Sequence, residues 1–179
     1  CWYLKLEIIW LTMPPITSRP LVPGPLRHVE LCTTTDLDEV IDFYVAWGLE
    51  VVERTDDAVA LRASGTDHHV LRFAKADHVG LGHIGFASPS RAAVDDLHQA
   101  WAGKGVEILS EPCVLTSLGG GYGFEAADPE GRRLRVVTEM DAADPLHRPP
   151  SVPHRLSHIV LNTADIDLLC EFYVSVLGF

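Results

Sequence analysis

The chain closes on LSHIVLNTADIDLLCEFYVSVLGF, Leu156–Phe179, and near its beginning stands LRHVELCTTTDLDEVIDFYVAWGL, Leu26–Leu49. Leu26, His28, Leu31 and Thr33 return as Leu156, His158, Leu161 and Thr163. After a slip of one residue, Asp36 and Asp38 return as Asp165 and Asp167, and Phe43-Tyr44-Val45 as Phe172-Tyr173-Val174, with Gly48 and Gly178 following. A shorter copy, LGHIGFASPSRAAVDDLHQAWAGKGVEI, fills Leu81–Ile108 between them. Self-similarity of this kind marks a fold assembled from repeated supersecondary units.

Each copy reads as a strand followed by a helix. In Leu26–Cys32, Val29 and Leu31 face one way and His28 and Glu30 the other. Ile84 and Phe86 oppose His83 and Gly85 in Gly82–Ala87, and Ile159 and Leu161 oppose His158 and Val160 in Leu156–Asn162. Side chains alternate across a strand, so every copy has one apolar face and one face with a histidine. The stripes Leu37/Val40/Ile41/Tyr44, Val94/Leu97/His98/Trp101 and Ile166/Leu169/Cys170/Tyr173/Leu177 follow a helical period. Asp36, Ser90 and Asp165 stand where a side-chain oxygen caps the first turn. Three further strands follow each complete helix: Glu50–Arg54, Ala58–Ala63 and His69–Ala74, then Val106–Ser110, Gly123–Ala127 and Leu134–Thr138. Asp128-Pro-Glu-Gly131 is a tight turn before the last of them.

The fold class expected is α+β: β-α-β-β-β modules, used twice in full and begun a third time, with the helices on the apolar strand faces and the histidines on the other. The modules span 26–75 and 81–139 within a domain over 21–140. A Pro-rich linker covers 141–155, and 156–179 starts a second domain. Residues 1–20 read as an extension outside the fold. Their start, CWYLKLEIIWLT, is interrupted by Lys5 and Glu7, too short to span a bilayer and without the marks of a signal peptide, and Met13 is a plausible true start.

The net charge of −11 sets this surface against nucleic acid and anionic membranes. Cys1, Cys32, Cys113 and Cys170 form no Cys-x-x-Cys pair or short disulfide pattern, as in a reduced, cytoplasmic protein. Gly119–Gly123 (GGGYG) lacks the Lys-Ser/Thr ending of a phosphate loop, and no helix follows it, so it reads as a flexible loop.

The motifs HVEL…DLDEVIDFY…GL, GHIGF and DPEGRRLRVV resemble the vicinal oxygen chelate superfamily of glyoxalases, bleomycin resistance proteins and extradiol dioxygenases. A third repeat after a complete pair, together with Leu61–Asp77 (LRASGTDHHVLRFAKAD), is similar to the type I extradiol dioxygenases of the catechol 2,3-dioxygenase kind. That resemblance implies a four-module protein whose β-α-β-β-β modules pair into a curved, incompletely closed mixed sheet, with the helices outside and the histidines on the concave face. The chain is then a C-terminally truncated fragment holding the non-catalytic first domain and the start of the metal-binding one.

The resemblance also implies the chemistry. Two His and one Glu would hold Fe(II) or Mn(II), leaving positions for a small aromatic diol and dioxygen. Within this chain it places one ligand, His158. The others would come from a fourth module, so metal would bind only with that module present and the fragment alone would be inactive. In the first domain the position of the family's carboxylate is taken by Arg135, whose charge opposes a cation, and His28 and His83 read as relics of the repeat. His68 and His69, as strand neighbours, point to opposite faces and cannot easily share an ion. A single-domain binding or resistance protein, or a glyoxalase-like metalloenzyme, stands as the alternative. The uncovered face of the third repeat leaves room for self-association.

Overall fold

The computed structural model describes residues 2–5, 21–147, 149 and 151–179. Its elements are β1 (Trp2–Lys5), β2 (Leu26–Thr33), α1 (Leu37–Ala46), β3 (Glu50–Arg54), β4 (Ala58–Arg62), β5 (Leu71–Lys75), β6 (Gly80–Ala87), α2 (Arg91–Gly103), β7 (Glu107–Val114), β8 (Tyr122–Ala127), β9 (Arg133–Thr138), β10 (Val160–Thr163) and α3 (Ile166–Glu171). A π-helical turn over Phe172–Val176 continues α3. The expected caps form. Asp36 accepts from the Asp38 amide, Ser90 from the Ala93 amide and Asp165 from the Leu168 amide, so a short polar side chain satisfies an otherwise free N–H at each helix start.

Eight strands make one open sheet in the order β3-β4-β5-β2-β6-β9-β8-β7. The order reads outward from a centre. β2 pairs antiparallel with β6, and each pairs in parallel with the last strand of its own module, β5 or β9. This is the α+β arrangement expected from two β-α-β-β-β units. The repeat brings the two histidine-bearing strands side by side at the centre, where neither is an edge.

The apolar faces pack as the alternation requires. Ile84 and Phe86 of β6, Phe124 and Ala126 of β8, and Leu134 and Val136 of β9 meet Val94, Leu97 and Trp101 of α2. Val59 and Leu61 of β4 and Phe73 of β5 meet Leu37 and Val40 of α1. Removing this apolar surface from water is the main force holding each helix to the sheet.

The structure departs from the sequence reading in four places. β5 begins at Leu71, not His69, so His68 and His69 lie in the loop before it. β7 runs on through Pro112 to Val114, which an edge strand with register shifts tolerates. β10 begins at Val160, later than the expected Leu156. The expected extension over 1–20 contributes β1, which pairs antiparallel with β10; its residues 1 and 6–20 lie outside the described residues.

The third repeat does not leave its apolar stripe open. Leu161, Leu169, Phe172, Tyr173 and Leu177 join the core cluster built on α2 and β6, with the Phe179 ring tilted against Phe86 at 5.4 Å between ring centroids. An apolar stripe buries itself on whatever apolar surface adjoins it. The linker is tied to the first module: Ser64 N donates to Pro153 O at 3.0 Å and Gly65 N to His154 O at 3.0 Å.

Candidate functional site

β2 and β6 place His28 opposite Gly85, on the sheet face away from the helices. A Cβ on Gly85 would fall 2.3 Å from the His28 ring, so glycine is what lets the imidazole lie flat across its neighbour. His28 Nε2 and His83 Nε2 are 2.8 Å apart. His83 Nδ1 lies 3.4 Å from Glu30 Oε1, and Glu30 pairs with Arg72 on the adjacent β5. With its Nδ1–H toward Glu30, His83 offers an Nε2 lone pair that accepts from His28 Nε2–H. That assignment leaves His28 Nδ1 as a buried lone pair without a partner.

His68 and His69 complete the cluster. Both are buried, with their Nδ1 atoms 2.9 Å apart, and the His69 ring centroid is 4.6 Å from that of His28. The sequence reading set the pair on opposite faces of a strand. Because they precede β5, the loop is free to turn both rings inward. Glu53 reaches this corner from β3, with Oε2 3.7 Å from His68 Nε2 and accepting from Gly119 N at 2.8 Å.

Burial sets the electrostatics. Desolvation, reinforced by the neighbouring histidines and arginines, drives His28 well below the usual imidazole range. Burial first, then the adjoining charges, lowers His69 and His83 to about 3. All three are therefore neutral at pH 7. Arg135 on β9 donates to Glu125 Oε1 at 2.6 and 3.0 Å and to Ser117 Oγ at 3.2 Å. Thus each parallel strand flanking the central histidines carries an arginine, Arg72 or Arg135, locked to a glutamate.

This first-domain cluster does not fit a divalent cation. Glu30 and Glu125, beside the central histidines, are engaged by Arg72 and Arg135, whose charge opposes a cation, and Glu53 at the His68 corner accepts from Gly119 N. Among the described residues no group of three or more His, Cys, Asp or Glu is arranged to hold a metal ion. Clefts of about 140 and 450 Å³ are lined by other residues, including Arg27, Asp67 and Ser157 in one and Val29, Leu81 and Ile159 in the other.

His158 stands apart from this cluster. It is exposed, two residues ahead of β10, with Nδ1 2.9 Å from Ser157 Oγ. An Nδ1–H donated to that hydroxyl leaves the ring lone pair on Nε2. Cys32, Cys113 and Cys170 are free thiols.

Residues 26–136 match the model of a family described as the Glyoxalase/Bleomycin resistance protein/Dioxygenase superfamily. A metapyrocatechase of Geobacillus stearothermophilus is 28% identical over 174 residues, covering 86% of this chain and 51% of its own. The Mn(II)-bound glyoxalase from Novosphingobium aromaticivorans superposes with a TM-score of 0.82 at 32% identity, over 88% of this chain and 54% of that one. Homoprotocatechuate 2,3-dioxygenase from Brevibacterium fuscum, in complex with 3,4-dihydroxyphenylacetate, gives 0.62 at 26% identity over 70% and 40%. The chain thus spans about half the length of the metapyrocatechase it matches.

Proposed function

The chain belongs to the Glyoxalase/Bleomycin resistance protein/Dioxygenase superfamily, and from that membership we propose that the whole protein is a metal-dependent extradiol dioxygenase that opens a catechol-type ring with dioxygen. The observation that carries this reading is the similarity to a metapyrocatechase over 86% of the chain, well beyond the segment 26–136 that matches the family. The arginine-filled first domain supports it, since its central face is built for packing and leaves the chemistry to another part of the protein.

In this reading His158 supplies one imidazole to a non-haem Fe(II) or Mn(II), and Ser157 holds the ring with Nε2 outward. The metal, when bound, would polarise the two diol oxygens and bring dioxygen beside the ring. His28, His69 and His83 take no part; they stay neutral and fill the centre of the first domain.

The likeness to a Mn(II)-bound glyoxalase favours a second reading, a glyoxalase-like isomerase of a thiol adduct. Oxygen consumption separates the two. The whole protein, loaded with Fe(II) or Mn(II) and given catechol, should consume one O2 per ring and form a yellow ring-fission product. Turnover of a hemithioacetal of methylglyoxal and a thiol, with no O2 uptake on any catechol, would replace the first reading by the second.

A further inference from the structure

The Asp128–Gly131 turn joining β8 to β9 is satisfied within itself. Gly131 N donates to Asp128 O at 2.9 Å, and Asp128 Oδ1 accepts from the amides of Glu130 and Arg132, each at 2.9 Å. Gly131 takes φ +80°, a conformation that suits glycine. The hairpin needs no outside partner to close.

Yet its side chains reach outward, and all to the third repeat. Glu130 Oε1 accepts from Thr163 Oγ1 at 2.6 Å and from Ala164 N at 3.2 Å. Arg132 Nη2 donates to Asn162 O at 2.5 Å while its Nη1 donates to Asp128 Oδ2 at 2.9 Å. Tyr173 OH donates to that same Asp128 Oδ2 at 3.3 Å. The Asp128 side chain is fully buried and Tyr173 is 1% exposed, so the Tyr173–Asp128 bond is shielded from water, while the Glu130 and Arg132 bonds lie nearer the surface. Burial and the neighbouring Asp128 carboxylate raise the Tyr173 hydroxyl, which stays a donor. At the far end of the repeat Lys104 Nζ donates to Ser175 O and Val176 O at 3.2 and 2.9 Å.

The receiving groups lie where β10 ends and α3 begins. β10 has no backbone pairing with the eight-stranded sheet; its partner is β1. The side chains of the turn therefore add directional polar ties to the apolar packing of Leu161 that seats this strand on the first domain. We propose that the Asp128–Arg132 turn is a docking latch: it holds the third repeat in place, with Glu130 and Tyr173 as positioning residues for the strand that follows His158. The link to metal binding rests on the reading of His158 as a ligand; the latch itself does not.

Hydrogen exchange on this chain tests it. Glu130→Ala removes the acceptor for Thr163 and Ala164, and the Ala164 amide should exchange about tenfold faster or more, the loss of a charge-assisted hydrogen bond. The loosening should spread to Val160–Thr163 and α3. The Glu130 position's own amide and that of Arg132, held by Asp128, should keep wild-type protection. Glu130→Gln, which retains a carbonyl oxygen, should restore most of the protection, and Tyr173→Phe, which keeps the buried ring, should loosen the same segment. Wild-type exchange at Ala164 and β10 in Glu130→Ala would overturn the latch, as would equal loosening of the whole β8–β9 hairpin.

In the whole protein, Glu130→Ala should weaken Mn(II) binding severalfold, with Gln restoring it; unchanged binding beside a loosened β10 would remove the positioning role. His158→Ala separates the two claims. If it leaves Mn(II) bound while Glu130→Ala loosens β10, the latch stands and the ligand reading falls. If it abolishes binding while Glu130→Ala leaves exchange untouched, the ligand reading stands and the latch falls.

Discussion

Acidification should unfold the first domain well before its carboxylates are titrated away. His69 and His83 are held at about 3 chiefly by burial, and burial likewise holds His28 well below the usual imidazole range. In the unfolded chain each returns to about 6.5. The folded state is therefore favoured fully above pH 6.5, and stability is lost as the pH falls from there toward 3, because the unfolded chain takes up protons that the fold refuses. Each such histidine contributes a slope of about 1.4 kcal/mol per pH unit. Two of them acting between pH 6 and 4 remove about 5 kcal/mol, comparable with the whole stability of a small domain. The groups facing the cluster are Glu30 and Arg72, Glu125 and Arg135, Arg133, Arg27, and Glu53 beside His68. Urea unfolding at steps between pH 7.5 and 4, followed by fluorescence of the buried Trp101, reads the effect directly. The midpoint should fall by roughly 2 M or more across the range. His83→Gln should flatten the slope. A midpoint that moves by less than a few tenths molar between pH 6.5 and 4.5, or resonances assigned to His69 and His83 titrating near 6.5 in the folded protein, would refute the reasoning.

Gly85→Ala should destabilise the first domain by roughly 1–3 kcal/mol, because a Cβ 2.3 Å from the buried His28 ring forces it off its partner; a melting temperature equal to wild type would show that the ring can move aside. Trp101→Ala should cost about 3–5 kcal/mol, measured by denaturant titration, since the indole is 1% exposed and meets Phe124 edge-on at 5.3 Å between centroids. The 179-residue chain alone, given Fe(II), catechol and O2, should form no yellow product above a metal-only control, because no described group of three ligands is present.

The architecture was legible because the repeat is legible. The alternation at His28/Val29 and His83/Ile84 set the faces of the central strands, and the helical stripes set what packs on them. Strand order was not legible, and the charge network depends on it. Glu30 meets Arg72 only because β2 and β5 lie side by side in parallel, with these two residues in register. A parity argument can place Glu30 on the histidine face; it cannot supply the neighbour. His69 was missed for a local reason. The loop before β5 breaks the alternation two residues before the strand starts, and a histidine in a loop can turn inward where a strand residue cannot. The burial of the third repeat was not legible because periodicity shows that a stripe is apolar and not what covers it; it packs on α2 and β6.

Metal content of the whole protein tests the central claim most directly, that the metal is held through His158 and not by the first-domain histidines. His158→Ala and His28→Ala proteins, checked for folding and loaded with Fe(II) or Mn(II) under identical conditions, should differ in bound metal per chain. The account predicts that His158→Ala loses most of its metal and its ring-cleaving activity, since removing one of three protein ligands weakens the site, while His28→Ala retains both. Full metal in His158→Ala, with loss in His28→Ala, would contradict it.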